Sequence, residues 1–475
     1  MIFNSLEFIL FILIVFFCYW FVFNNNLKIQ NLFILFSSYM FYGWWDWRFL
    51  ILIFFSTILD YFIGLKIYHG KSNNRKFYLI LSIFFNLSLL GFFKYFNFFI
   101  DSWVSLISLI GFFEINRYTL NIILPIGISF YTFQTMSYSI DIYYRRIKPT
   151  RDFISFASFV CFFPQLVAGP IERASNFLPQ ILEKRVFEYQ KSVQALRLIL
   201  WGMFKKVVIA DSLSIKVDYC FNNYQSLDGG SLLIGLIYFS IQIYCDFSGY
   251  SDIAIGIAKL FGFELMSNFN FPYFSRNISE FWRRWHISLS SWFRDYVYIP
   301  LGGSKVNKCR TIRNILIVFT ISGFWHGANL TFILWGICHF ILYVPSYLFS
   351  TNRKYLSLIV AENKKFPSFI EIVQIFITFF LISITWVFFR ADTIIQSFNY
   401  LVQMINKISF PKDNRSGLVF VVLFLIFDWS NRRDERNPFN YKNKYFRYLI
   451  YLIISYLVFA HFRLVDLKHF IYFQF

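Results

Sequence analysis

Charged side chains are scarce in this 475-residue chain. Asp, Glu, Lys and Arg make up 15% of it, where a soluble domain averages about 25%. That shortage excludes an ordinary soluble fold. There is no low-complexity linker, no internal repeat and no polar stretch long enough for a separate soluble domain. Paired cysteines are also missing. Cys18, Cys161, Cys220, Cys245, Cys309 and Cys338 are scattered, with no C-x-x-C and no metal-ligand spacing, so neither a disulfide framework nor a metal centre is expected. Buried thiols acting as small hydrophobes are the default. The first apolar run, 6–23, has no basic leader and no A-x-A-like site, and is expected to be a retained span.

What is abundant is hydrocarbon. Apolar residues are 57% of the chain and aromatics 24%, and runs of about 20 apolar residues, long enough to cross a bilayer, recur from end to end. The reading is an all-α polytopic membrane protein. The net charge of +19 is no nucleic-acid footprint. Its Lys and Arg concentrate in short loops, where they orient spans and meet anionic lipid headgroups. Heavy use of Phe, Ile, Asn, Lys and Tyr is what an AT-rich genome gives, a hint of a low-GC bacterium.

By length, about twelve runs are candidate spans: 5–23, 31–46, 49–68, 77–97, 119–142, 194–212, 231–258, 312–325, 329–350, 369–390, 416–428 and 447–464. Two further apolar pieces look too short or interrupted to cross. One is 102–113. The other, 153–170, ends in FFPQLVAGP, whose prolines and glycine break a helix, and reads as re-entrant. With the N-terminus outside, the basic loops 69–76, 145–151, 173–191, 260–310, 352–365 and 431–447 all fall in the cytoplasm, as the positive-inside rule requires.

The densest chemistry lies in residues 268–336, where NFNFPYFSRNISEFWRRWHISLSSWFRDYVYIPLGG is followed by a basic connector and FWHGANLTFILWG. Polar groups in a hydrocarbon setting are costly unless satisfied, and they mark function. Asn277 and Glu280 resemble a capping box, opening a helix expected to run to about Tyr298. On it Trp282, His286, Leu289 and Phe293 form one face. An interfacial amphipathic helix is the competing account, with His286 on its apolar stripe as the weak point. His326 is odder. The run 312–325 is short for a bilayer: about 21 Å at ~1.5 Å per residue against about 30 Å of hydrocarbon. The turn 323–327 should therefore sit at depth, with an imidazole on a break between helices, which suits binding or proton transfer near pH 7.

His339 lies mid-span beside Cys338, but neighbours in sequence do not face each other on a helix. His69, His461 and His469 sit at span ends and read as interfacial. Within 242–252, Asp246 and Asp252 lie among hydroxyls and a glycine. They read as a polar seam between helices, or else as a substrate path. Asp60 and Asp141 are weaker cases of the same kind.

The motifs LPIGISFYTFQTMSYSIDIYYRR (124–146), FFPQLVAGPIERASNFLPQ (162–180), QIYCDFSGYSDIAIGIAKLFGFELMSNFNFPYF (242–274), FWRRWHISLSSWFRDYVYIPLGG (281–303) and FWHGANLTFILWG (324–336) together resemble a membrane-bound O-acyltransferase, MBOAT, of the bacterial alginate and peptidoglycan O-acetyltransferase type. The resemblance covers most of the chain. It implies the MBOAT fold as a single integral-membrane domain over 1–475. Some 11–12 transmembrane helices would surround a central tunnel and funnel, with re-entrant and interfacial helices. It makes His326 the catalytic histidine and His286 the second polar position. Trp282, Trp285, Trp325, Asp246 and Asn329 are expected to bind substrate. From their charge rather than from the resemblance, the basic residues Arg276, Arg283 and Arg284 are expected to hold the phosphates of coenzyme A near the cytosolic mouth, with lipid headgroups as the competing partner.

The implied reaction carries acetyl from cytosolic acetyl-CoA, a donor substrate rather than a resident cofactor, across the bacterial inner membrane. A periplasmic serine O-acetyltransferase would then pass it to a polysaccharide. Peptidoglycan is favoured by the AT-rich composition. Alginate, another exopolysaccharide, or D-alanyl transfer to teichoic acid are the alternatives. From other classes, a transporter of acyl groups or glycans would use the histidines as a proton relay, and a scaffold would leave both histidines dispensable. Thioester-dependent acetyl release separates enzyme from transporter.

The orientation yields a prediction. In a cysteine-free background, a cysteine at Asp228 should react with a membrane-impermeant thiol reagent added outside the cell, and one at Ser304 should not. Labelling at Ser304 alone inverts the topology.

Overall fold

The protein, described from a computed structural model, is helical throughout. The structure describes residues 1–110, 119–120, 122–356, 359–362, 364–464 and 470, and among them there is no strand. His469 and the end of the 102–113 piece lie outside the described residues. The chain divides into two compact units: residues 1–188 with 258–265, and residues 189–257 with 266–475.

Each expected span overlaps a helix, the 119–142 run only from Ile128 onward, but among the described residues six helices are long and apolar enough to cross a membrane: Arg48–His69, Ser72–Ser108, Gly229–Leu260, Leu330–Leu348, Phe369–Arg390 and Lys444–Phe462. The others are shorter or more polar than the raw apolar runs suggest. Leu27–Gly43 has 17 residues and Ile128–Tyr143 has 16, about 24–26 Å at ~1.5 Å per residue. Two expected pieces, 77–97 and 102–113, fuse into one run, because a π-helical turn at Gly91–Tyr95 joins Ser72–Leu90 to Phe96–Leu109. A π-turn inserts a residue without breaking the rod, so a charged residue such as Asp101 is no helix stop. The 153–170 piece does break where proline predicts. A helix ends at Cys161, and a single turn, Phe163–Leu166, carries Pro164 at its start.

In the first unit, polar groups tie three helices together. Asp60 accepts from Ser82 at 2.6 Å and from Asn86 at 2.9 Å, while Thr135 donates to the Asn86 carbonyl oxygen at 3.0 Å. Arg185 is held by Tyr19 and by the side-chain carbonyls of Gln30 and Asn31 at 2.7–3.0 Å. Asp141 pairs with Arg146 at 3.0 Å. Hydrogen bonds of this kind replace the water that hydrocarbon cannot supply.

The second unit contains a tight helical hairpin, Lys308–His326 followed by Leu330–Leu348. Asn307 caps the first helix by accepting from Arg310 N at 2.9 Å, and Asn329 caps the second by accepting from Thr331 N at 3.0 Å. The helices cross at two glycines. A Cβ on Gly323 would lie 2.3 Å from the Phe332 carbonyl oxygen, and one on Gly336 2.3 Å from that of Phe319. Only glycine permits that approach. A Gly336→Val substitution should therefore force the helices apart at a cost of about 1–3 kcal/mol or more. The thermal midpoint in detergent should fall by several degrees. An unchanged midpoint contradicts this packing.

Candidate active site

The expected helix from Asn277 to Tyr298 does form, but in pieces. Asn277 caps it, accepting from Glu280 N at 2.8 Å, a contact worth about 1 kcal/mol. The capping box is only half made. The Glu280 carboxylate reaches past the cap to accept from Arg276 N at 2.8 Å and pairs with the Arg276 and Arg284 side chains at 3.0 and 2.9 Å. The helix then stops at Arg284. Trp285 is extended, and His286 adopts a left-handed conformation with φ +43° before a second helix, Ile287–Phe293. The single face expected from the spacing of Trp282, His286, Leu289 and Phe293 is thus corrected. Tertiary contacts override the helical periodicity at 285–286. The carbonyl oxygen of Arg284 accepts from Asn270 N at 3.0 Å, and Ile287 N donates to the Asn268 carbonyl at 2.8 Å. A left-handed non-glycine residue is uncommon and costs free energy, and it clusters where function fixes the backbone.

That break brings the two histidines together. The rings of His286 and His326 lie 6.4 Å apart, centre to centre, and both residues are buried, at 1% and 4% exposure. His326 is the last residue of the Lys308–His326 helix rather than part of an open turn. Its burial comes from packing and not from a short span, since the helix has 19 residues where the apolar run has 14. Trp325, Trp335 and Phe389 stand edge-on around its ring at 5.0, 5.2 and 5.4 Å. Phe247 stands edge-on to His286 at 4.6 Å. Among the described residues, neither ring nitrogen of His286 has a hydrogen-bond partner. Burial lowers its pKa from the usual 6.5 to about 3, so it stays neutral at ordinary pH, with one N–H to donate and one lone pair to accept.

The remaining expected residues divide. Trp285 lies in the same chamber, 5.0 Å from Phe269 and from Trp386. Trp282 packs 4.8 Å from His339 and 5.9 Å from Trp335. Asn329 spends its side chain on the helix cap and on the Asp392 carbonyl, to which it donates at 2.9 Å. Arg283 donates to the carbonyls of Asn352 and Lys354 at 2.7 and 2.9 Å, and Arg284 to Glu280 and to the Asn270 carbonyl at 2.9 and 3.1 Å. Asp246 forms an ion pair with Lys206 at 2.7 Å, and Lys206 also holds Asp211 at 2.8 Å. Asp252 pairs with Lys205 at 2.7 Å, and Lys205 donates to Ser248 at 2.9 Å. The 242–252 stretch is thus a polar seam.

Sequence reasoning missed several of these partners. Lys205 and Lys206 sit inside an apolar run, in WGMFKKVVIADS, and two cations there should have signalled buried acids. They lie on a π-helical stretch, Phe204–Ala210. His339, ranked low for its Cys338 neighbour, shares a hydrogen bond with Thr385 at 3.0 Å and lies 4.6 Å from Trp335. Trp335, Trp386 and Phe389, which wall the chamber, have no signal of their own in a chain this rich in aromatics.

A family model described as MBOAT, membrane-bound O-acyltransferase family, matches residues 48–391. The chain belongs to the membrane-bound O-acyltransferase family. It is an O-acyltransferase and a multi-pass membrane protein. A protein of Pseudomonas aeruginosa named probable alginate O-acetylase AlgI is 40% identical over 370 residues, 77% of this chain and 68% of its own. The peptidoglycan O-acetyltransferase of Helicobacter pylori is 38% identical over 408 residues, 80% of this chain and 75% of its own. The teichoic acid D-alanyltransferase of Bacillus subtilis is 30% identical over 251 residues, 50% of this chain and 62% of its own. Both histidines fall inside the matched region of this MBOAT chain.

The arginine contacts can be tested. With their donors held by backbone carbonyls and Glu280, replacing Arg283 and Arg284 together by Gln should lower the amount of protein recovered from membranes and leave the donor KM within about two-fold. A role in gripping donor phosphates predicts instead a rise of about tenfold or more, from lost charge-assisted hydrogen bonds of about 1.5–3 kcal/mol.

Proposed function

We propose that this O-acyltransferase moves acetyl groups from acetyl-CoA, supplied on the cytosolic side of the bacterial inner membrane, toward a cell-wall polysaccharide. Peptidoglycan is the first choice of acceptor, with a periplasmic serine O-acetyltransferase as the partner that completes the transfer. One observation carries the chemistry: two buried imidazoles 6.4 Å apart in an aromatic chamber, inside a family match whose relatives are named for O-acetylation. A chamber of that kind excludes water, which would otherwise hydrolyse the thioester.

In this reading His326 takes the proton of an acceptor hydroxyl as its oxygen attacks the thioester carbonyl. The neutral His286 donates its N–H to the developing oxyanion or orients the acyl group. Collapse of the intermediate breaks the carbon–sulfur bond, and the proton on His326 passes to the departing sulfur. The products are an acetyl ester and the free thiol, with no net proton change.

Acetyl is favoured over D-alanyl because the D-alanyltransferase relatives match half of this chain or less, whereas the acetylating ones match 77–80%. Peptidoglycan is favoured by the longer match to the Helicobacter protein, 408 residues against 370, and by the AT-rich composition. Alginate O-acetylation is the second reading, resting on the relatives named for it.

The test is a purified protein in detergent, given radiolabelled acetyl-CoA, the periplasmic serine O-acetyltransferase and a muropeptide or alginate oligomer. His326→Ala should lower label transfer by about 10²-fold or more, the usual worth of a general base, with membrane abundance within two-fold of the parent. Transfer unaffected by the substitution removes His326 as the base. No turnover with acetyl-CoA, but turnover with an acyl-carrier-protein thioester, replaces the donor.

A further inference from the structure

His286 presents a positioning problem. Among the described residues neither of its ring nitrogens has a hydrogen-bond partner, and none of them sets the direction of the imidazole through such a bond. The ring is aimed by its backbone and by the aromatic faces around it. That backbone is left-handed, φ +43° and ψ +55°, a region a non-glycine residue leaves unless its neighbours hold it. Whatever holds residues 285–288 therefore aims the imidazole.

One buried residue makes most of that hold, through its side chain and its backbone carbonyl. Asn268, at 1% exposure, accepts from Ser288 Oγ through its Oδ1 at 2.6 Å. It donates through its Nδ2 to Ser251 Oγ at 3.0 Å. Its backbone carbonyl accepts from Ile287 N at 2.8 Å. Two residues on, Asn270 N closes the other side of the turn on the Arg284 carbonyl at 3.0 Å. Ser251 lies in the long Gly229–Leu260 helix, which also carries Phe247, the ring that stands edge-on to His286 at 4.6 Å. The clamp and the ring contact thus share one rigid element. Ser248 and Asp252 of that helix are in turn fixed by Lys205 at 2.9 and 2.7 Å. Ser251, Asn268 and Ser288 are all buried, so no water competes for these bonds.

We infer that Asn268 is a positioning residue for the acyl-transfer reaction, acting through His286 by clamping Ser288 and Ile287 to Ser251 and so fixing the left-handed turn that aims the imidazole at His326. The inference rests on the acyl-transfer reading above, and its test separates the two. An amide is needed because one side chain must accept from Ser288 and donate to Ser251 at once. Asp keeps the first contact and loses the Nδ2 donor, so the second survives only with Ser251 turning its own proton to the carboxylate, and a charge is buried there. Alanine loses both. Ser288→Ala removes a single hydroxyl and leaves the fold the least disturbed.

The experiment measures kcat and donor KM for Asn268→Ala, Asn268→Asp and Ser288→Ala in the purified protein with radiolabelled acetyl-CoA, the periplasmic partner and a soluble glycan oligomer. Ring signals of isotope-labelled histidine are followed by NMR, and His286 is assigned by its loss in His286→Ala. Expected are a fall in kcat of about tenfold or more for Asn268→Ala with KM within two-fold, partial recovery in Asn268→Asp, and a smaller fall in Ser288→Ala. The His286 signal should shift in each, while that of His339, held by Thr385, stays. Unchanged kcat, a loss confined to KM, or an unmoved His286 signal overturns the inference. Should Asn268→Ala not accumulate in membranes, Ser288→Ala decides by the same criteria. Full activity in His286→Ala, with its signal still displaced in Ser288→Ala, overturns the role given to His286 in the reaction and with it any catalytic meaning of the clamp.

Discussion

At Gly323 and Gly336 two helices approach until backbone meets backbone, and a Cβ added to either glycine would lie 3.3–3.5 Å from the Cα of the other. This crossing fixes where the Lys308–His326 helix ends, and His326 is its last residue. It also sets the face of Leu330–Leu348 that presents Trp335 and His339 to the chamber. A side chain at either glycine would move a carbonyl by more than an ångström, and misplacing a reacting group by about 1 Å costs catalysis on the order of 10²-fold. Small residues at a membrane-helix contact are here a constraint on chemistry as well as on packing.

The second histidine arrives by a different route. His286 is placed by an interruption, where a helix that could have continued is broken by hydrogen bonds from the 268–270 segment. One imidazole thus ends a tightly packed rod, and the other sits on a strained turn. Both lie among aromatic rings that exclude water while leaving polarizable faces and edges toward the site. The chamber needs no charged side chain at its centre. Lys205, Lys206, Asp211, Asp246 and Asp252 form a separate seam, where each cation has a carboxylate within 2.8 Å, as Arg276, Glu280 and Arg284 form another. Breaking one buried pair of that kind strands its partner in a low dielectric, which gives the seam a structural weight independent of substrate.

Much of this was readable in the sequence. Apolar runs located the long helices, because span length is set by the bilayer and leaves a long signal, but not the shorter ones Ala174–Leu182, Asp211–Asn222 and Ile394–Asn406. Asn277 announced its cap, and the two histidines stood out as polar residues in aromatic surroundings. What could not be read depends on non-local contacts. The break at His286 comes from Asn268 and Asn270, and no periodicity within 277–298 encodes them. The fusion of 72–109 into one rod depends on a π-turn whose residues, GFFKY, look like the end of a helix. Arg283 and Arg284 looked like an anion site because sequence shows charge and not partner. Their partners include carbonyls at Asn352, Lys354 and Asn270 and the Glu280 carboxylate.

The central claim is that the acyl group is transferred in the chamber between His286 and His326. The measurement that tests it most directly is a structure of the protein with a thioether analogue of acetyl-CoA, in which sulfur is separated from the acetyl carbonyl by a methylene and cannot leave. The account predicts the acetyl carbonyl between the two imidazoles, its oxygen within hydrogen-bonding distance of a His286 ring nitrogen, with the Trp335 and Phe389 rings against the acyl group. An acetyl group bound elsewhere, along the Asp246–Lys206 seam or beside the arginines at 283 and 284, with both imidazoles out of reach, would contradict it.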